Sequence, residues 1–202
     1  MTGYKIVNLD DLLSEMGEHE TKEMLQSFYC KNNYDVEYFL KSKAIEFSKC
    51  SIAKTHIVFA SYKGNWVIVG YFALAGTKSF VVKTKSKSIS KTWKRKFYRF
   101  GSYNEELKQF NIPAPLIGQL GKNSAHSGLI SGAELLKLAC DKIRAVQSEV
   151  GGKFAYLECE DIQFLRDFYS QNGFFCFGER ELDVDERHGF KTEKLLQLLK
   201  YL

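Results

Sequence analysis

The chain lacks any run of eighteen apolar residues, so no segment is long and apolar enough to span a membrane as a helix. Its first twenty residues hold Asp10, Asp11, Glu15, Glu18 and Glu20, where a secretory signal needs a basic start and an apolar stretch; the expected location is the cytoplasm. The cysteines are widely spread. Cys30, Cys50, Cys140, Cys159 and Cys176 are odd in number and contain no Cys-x-x-Cys pair, which argues against a disulfide framework or a zinc site and leaves reduced thiols. His19, His56, His126 and His188 are equally scattered, so no metal is assigned.

What is present is enough for one substantial core. With 202 residues and a hydrophobic fraction of 45%, a single domain over residues 1–202 is expected. Leu9, Leu12, Leu13 and Met16 recur at helical spacing behind Asn8, and Met24 and Leu25 sit in a second acidic stretch, giving a helical lead-in over about residues 1–27. Val36, Phe39, Leu40, Ala44 and Phe47 mark one face of a helix starting near Asn33, with Lys41 and Lys43 turned outward. His56–Ala60 and Trp66–Ala75 are rich in β-branched and aromatic residues and flank the turn Lys63-Gly64-Asn65. The remainder alternates: strand Ala114–Gly121, helix Ser131–Ser148 stopped by Gly151-Gly152, strand Lys153–Glu158, helix Asp161–Asn172 stopped by Gly173, strand Phe174–Gly178. Strands first, then β-α-β-α-β, predict a mixed α/β sheet with antiparallel opening strands and a central parallel pair. In the tail, Leu182 and Val184 fit a hairpin, while Leu195, Leu196, Leu198 and Leu199 suggest a final helix that covers the core or meets a second copy as a homodimer.

Three stretches carry chemistry. Ser131-Gly132-Ala133-Glu134 fits a capping box, and amides left free at such a helix start can face a pyrophosphate. Gly128 and Gly132 remove side chains that would hold phosphate oxygens away. Glu158, Glu160 and Asp161 cluster at a strand end, where open α/β sheets place their ligand crevice; any of them can deprotonate an ammonium through a water, and Glu160 is preferred. Cys159 lies in the same patch, but no histidine is near it in sequence, and a buried strand thiol is the commoner case. Between about residues 83 and 103, Lys83, Lys85, Lys87, Lys91, Lys94, Arg95, Lys96 and Arg99 interleave with Trp93, Phe97 and Tyr98. This insertion admits two readings: a polyanion site whose rings stack on exposed bases, with Lys94, Arg95, Lys96 and Arg99 on phosphates, or a short amphipathic helix anchored by Trp93, Phe97 and Phe100. The net charge of +5 barely discriminates between them.

The chain also resembles a known family. Phe168, Tyr169, Gly173 and Phe174 match in full the Phe-Tyr-x-x-x-Gly-Phe signature of the GNAT N-acetyltransferase superfamily, and Gly132 matches the last position of its Gln/Arg-x-x-Gly-x-Gly/Ala phosphate loop. Ser127 and Ile130 depart from that loop's first and fourth positions; Gly128, Lys122 and Asn123 stand near enough to compensate. Phe28-Tyr29-Cys30, followed by the stretch from Asp35 to Ala44, is similar to the GNAT branch that includes bacterial toxins acetylating aminoacyl-tRNA. The resemblance runs from about Ser27 to Gly178. It implies an acetyl-CoA-dependent transfer of an acetyl group to a primary amine by direct attack. It assigns Leu120 or Gly121 as the backbone donor to the thioester oxygen, Tyr169 as the acid for the leaving thiolate, and the segment Lys122, Asn123, Ser127, Gly128, Ser131 and Gly132 to the cofactor. Aminoacyl-tRNA, a protein amine and a polyamine all remain as acceptors. The alternative is a catalytically silent module of the same fold that binds RNA or a protein partner.

Overall fold

The computed structural model describes residues 3–76, 79–84, 89–182 and 192–202. Lys85, Lys87, Val184 and His188, singled out for their sequence context, lie outside the described residues. In chain order the elements are β1 (Lys5–Asn8), α1 (Leu9–Met16), α2 (Glu18–Leu25), α3 (Tyr34–Tyr38), a π-turn (Phe39–Lys43) and α4 (Ala44–Lys49). Then come β2 (Lys54–Tyr62), β3 (Asn65–Ala75), β4 (Ser79–Lys83), α5 (Lys91–Phe100), β5 (Ser102–Asn104), β6 (Gln109–Pro113) and β7 (Leu116–Lys122). A 3-10 turn (Ser124–His126), α6 (Gly132–Val150), β8 (Phe154–Glu160), α7 (Gln163–Gln171), β9 (Phe175–Glu181) and β10 (Lys194–Tyr201) complete the set.

The chain divides into two compact units, one of Met1–Ala75 with Ile117–Ala139 and one of Gly76–Leu116 with Cys140–Leu202. In the first, the strand order is β1-β2-β3-β7. β2 and β3 pair antiparallel through a two-residue turn in which Lys63 (φ 50°) and Gly64 (φ 83°) are both left-handed, the geometry that matches strand twist. The core is built on Tyr71, fully buried, whose hydroxyl donates to the Val36 carbonyl at 2.5 Å while its ring meets Phe28 edge-on. Asn8 caps α1 and Asn33 caps α3, as the spacing predicts. The lead-in is not wholly helical: β1 precedes α1 and pairs antiparallel with β2, because four residues with Ile6 and Val7 are too few to show a period.

In the second unit the order is β8-β10-β9, beside a small antiparallel sheet β4-β6-β5. The strands predicted over Ala114–Gly121 and Lys153–Glu158 are found as β7 and β8, and the helix predicted between them in the chain is α6. The final helix expected over Leu195–Leu199 is instead strand β10, antiparallel to both β8 and β9. Leu195, Leu196, Leu198 and Leu199 are all buried, so both faces of this inner strand are covered; a run apolar on every side carries no period that separates strand from helix. In the insertion, the helix reading is the observed one: Phe97 is fully buried against Phe110 and Phe154, and Trp93 stacks on Phe175. The rings of Trp93 and Phe97 therefore anchor α5 and are not a stacking platform for bases; Tyr98 alone of the three is well exposed.

Candidate functional site

The turn before α6 is built to leave amides open. The capping box forms as its sequence requires: the Ser131 amide donates to Glu134 Oε2 at 2.8 Å, and the Glu134 amide donates to Ser131 Oγ at 3.1 Å. Donation from the Ser131 side chain and amide holds the Glu134 carboxyl below the usual carboxylate range. The amides of Gly128, Gly132 and Ala133 make no hydrogen bond among the described residues. Gly132 and Ala133 thus present unpartnered donors at the positive end of a nineteen-residue helix, and Gly128 presents a third in the turn before it. A Cβ at Gly128 would meet nothing within 4 Å, so space in front of the loop is open.

The residues leading into the loop have other work. Gly121, at the end of β7, is a packing glycine: a Cβ there would lie 2.4 Å from Val36 Cγ1 and 2.8 Å from Tyr71 Cε1. Leu120 precedes it, half-buried. Asn123 is buried with its side chain fully engaged: Oδ1 accepts from the amides of Tyr29 and Ala125, and Nδ2 donates to the Ile68 carbonyl at 2.8 Å. It clamps the loop to the strands. Lys122 Nζ donates to the Ser127 carbonyl at 3.1 Å, which bends the loop back while leaving two ammonium protons for another acceptor.

Tyr169 belongs to the second unit, on α7, and the signature around it is a helix stop in physical terms. Gly173 is left-handed (φ 79°); its amide donates to the Ser170 carbonyl at 2.9 Å, and the Phe174 amide donates to the Tyr169 carbonyl at 2.9 Å. That is the Schellman pattern, completed by the contact of the Phe174 and Tyr169 rings at 5.8 Å. Lys200 adds a cation at this helix end by donating to the Asn172 carbonyl at 2.7 Å. The Tyr169 ring is buried, its hydroxyl donates to no group among the described residues, and burial raises its pKa well above the ordinary phenol value. The proton stays on oxygen at neutral pH.

The acidic cluster separates into different environments. Asp161 pairs with Arg166 and does not cap α7, whose start is Ile162 without a side-chain cap. Glu158 accepts from Tyr156 and from Arg180 Nε at 2.8 Å, while Gln197 Nε2 donates to Tyr156 Oη at 3.0 Å. Glu160 stands half-buried at the end of β8, opposite Leu195 of β10. Burial pushes the Cys159 thiol up to about 12, so it is no resting thiolate nucleophile. Among the described residues, no group of three or more His, Cys, Asp and Glu is placed to hold a metal ion.

No protein-family model matches the chain, and no curated protein sequence does. Solved structures do. One is the toxin AtaT complexed with acetyl-methionyl-tRNAfMet, at a TM-score of 0.63 and 18% identity over 96% of this chain and 94% of that one. Another is a mutant of KacT, at 0.62 and 16% over 97% and 94%. A third is AtaTR bound with AcCoA, at 0.55 and 19% over 96% and 91%. The chain has the GNAT acyltransferase fold.

On the GNAT fold, the residues predicted for the cofactor all belong to the first unit, Leu120, Gly121 and Lys122 at the end of β7 and the others between it and the start of α6, while Tyr169, Glu160 and the basic residues belong to the second. The basic residues are not equivalent. Lys91, Arg95 and Arg99 are exposed and recur at i, i+4, i+8 on one face of α5. Lys96 Nζ lies 3.9 Å from the ring centroid of Tyr201 and 4.7 Å from that of Trp93, so its charge is spent on packing. Sequence reasoning missed Tyr156 and Arg180 as partners of Glu158, and Gln197 as the donor to Tyr156. A single glutamine inside Leu195-Leu196-Gln197-Leu198-Leu199 is the signal that marks them, because an amide on an inner strand needs a polar partner.

Proposed function

We propose that the chain is an acetyl-CoA-dependent N-acetyltransferase whose acceptor is the amine of an aminoacyl-tRNA. The observation that carries this reading is the set of free amides at Gly128, Gly132 and Ala133 behind a formed capping box, on a GNAT fold. These donors fit a diphosphate, and Lys122 adds charge beside them. The bound donor supplies an acetyl thioester. A backbone amide of β7 near Leu120 or Gly121 polarises the thioester carbonyl. Tyr169, protonated and free of a protein acceptor, donates to the departing thiolate. Glu160 accepts the ammonium proton through water. The tRNA acceptor draws on two observations: the exposed Arg95 and Arg99, and the acetyl-methionyl-tRNAfMet bound to AtaT.

Calorimetric titration with acetyl-CoA tests the cofactor before the acceptor. Absence of binding favours a silent module. For the acceptor, replacement of Lys94, Arg95 and Arg99 by alanine, with Lys96 kept for packing, should abolish acetylation of charged tRNA. The salt slope of tRNA binding should also fall, by roughly 0.7–0.9 for each phosphate that is no longer neutralised. A parent protein that acetylates a polyamine or protein amine and ignores tRNA would overturn that half of the reading.

A further inference from the structure

In the first unit, α3 covers the face of β7 that carries Gln119 and Gly121. Side chains two residues apart on a strand share a face, and where Gly121 meets Val36 and Tyr71, Gln119 meets Asp35. Gln119 Nε2 donates to Asp35 Oδ2 at 3.1 Å. At its other end, Gln119 Oε1 lies 3.5 Å from the Tyr71 hydroxyl, whose short bond of 2.5 Å goes to the Val36 carbonyl. The carboxylate orients the amide: turned the other way round, Gln119 would set its oxygen against Asp35.

The charge of Asp35 differs from that of its neighbours. Among the described residues of this unit, three carboxylates are half-buried: Asp10, Asp35 and Glu37. Asp10 pairs with Lys54, and Glu37 pairs with Lys41 at 2.7 Å. Asp35 makes no ion pair among the described residues, and nothing there donates to its Oδ1; its partner is a neutral amide. A carboxylate drawn partly out of water without a cation is unfavourable, and a ligand that brings the cation relieves it. Gln119 immediately precedes Leu120, so this charge stands beside the backbone assigned to the thioester carbonyl, where the nucleophile has to arrive.

We propose, on the reading of β7 as the strand that polarises the thioester, that Asp35, oriented by Gln119, receives the acceptor's ammonium and selects an amine over a hydroxyl at that position. An ammonium carries three N–H donors and no acceptor, so it fits a carboxylate with one oxygen unspent; a hydroxyl in its place brings one donor and no charge. Asp35 holds the amine in its charged form. Removal of the proton before attack is the separate step assigned to Glu160.

Filter binding on the full chain, with acetyl-CoA left out so that no transfer occurs, compares methionyl-tRNA with the same tRNA carrying the 2-hydroxy analogue of methionine. The parent should hold the amine form roughly tenfold more tightly, the worth of one charge-assisted contact. Asp35→Asn keeps an oxygen for Gln119 and removes only the charge, so the two tRNAs should come within about twofold of each other. Its acetyl-CoA affinity and urea midpoint should match the parent's, which separates lost recognition from lost folding. Gln119→Leu, which leaves the carboxylate unheld, should discriminate less than the parent and more than Asp35→Asn. If the parent does not discriminate, or Asp35→Asn still does, Asp35 has no part in acceptor binding and the acetyltransferase reading stands. If neither tRNA binds but the protein acetylates spermidine, the tRNA half of that reading falls; a rise of about tenfold in the KM for spermidine in Asp35→Asn then upholds the ammonium site, and an unchanged KM overturns it. A chain that binds no acetyl-CoA and acetylates no amine removes both.

Discussion

The start of α6 and the end of α7 are finished in opposite ways. At the first, two reciprocal bonds between Ser131 and Glu134 hold the helix while the amides of Gly128, Gly132 and Ala133 stay unpartnered. At the second, Gly173, Phe174 and Lys200 satisfy the carbonyls of Ser170, Tyr169 and Asn172. An open end keeps donors for a ligand; a closed end removes freedom from the side chain it carries. The first suits anion binding and the second suits holding one phenol in place.

The strongest way to test this contrast is to take the chemistry from the closed end without opening it. Tyr169→Phe keeps the ring contact with Phe174 and every backbone bond, so acetyl-CoA affinity and the urea midpoint should hold while turnover falls roughly ten- to ten-thousand-fold. An unchanged single-turnover rate would make Tyr169 a packing residue. Next comes charge at the open end. Gly128→Asp has room for its side chain, so folding should be unaffected, yet acetyl-CoA should bind about ten- to a hundredfold more weakly by calorimetry. Equal affinity would show that the diphosphate lies elsewhere.

Smaller effects separate the two ends by stability. Gly173→Ala forces a Cβ into a left-handed backbone and should cost about 1–2 kcal/mol in urea unfolding, with no change in acetyl-CoA affinity. Its Cβ would meet only Lys200, at ordinary contact distance, so a larger loss would point to strain beyond the backbone. Ser131→Ala removes a cap and should cost about 1 kcal/mol. Here affinity should fall too, because the same turn presents the free amides. Loss of stability without loss of affinity would mean that the loop holds its shape through Asn123 and Lys122 alone.

Local chemistry made much of this legible. Ser131 and Glu134 read as a capping box, Gly173 as a helix stop, and Lys63-Gly64-Asn65 as a hairpin turn, because each is set by residues within a few positions of one another. The signature that points to Tyr169 is, in the structure, the Schellman motif at the end of its helix. The place of Asn123 beside the loop points to a cofactor residue. Its buried partners, Tyr29 and Ile68, are remote in sequence and gave no local sign.

What the sequence by itself determined, then, is the order of elements and the ends of the helices, since capping and turn geometry depend on neighbours along the chain. The tertiary structure alone decided which side a side chain serves. Lys96 and Arg95 are adjacent cations with the same intrinsic chemistry, yet Lys96 packs over Tyr201 while Arg95 faces solvent. β10 became a strand because β8 and β9 pair with its two edges, and pairing between strands distant in sequence leaves no period in an all-apolar run.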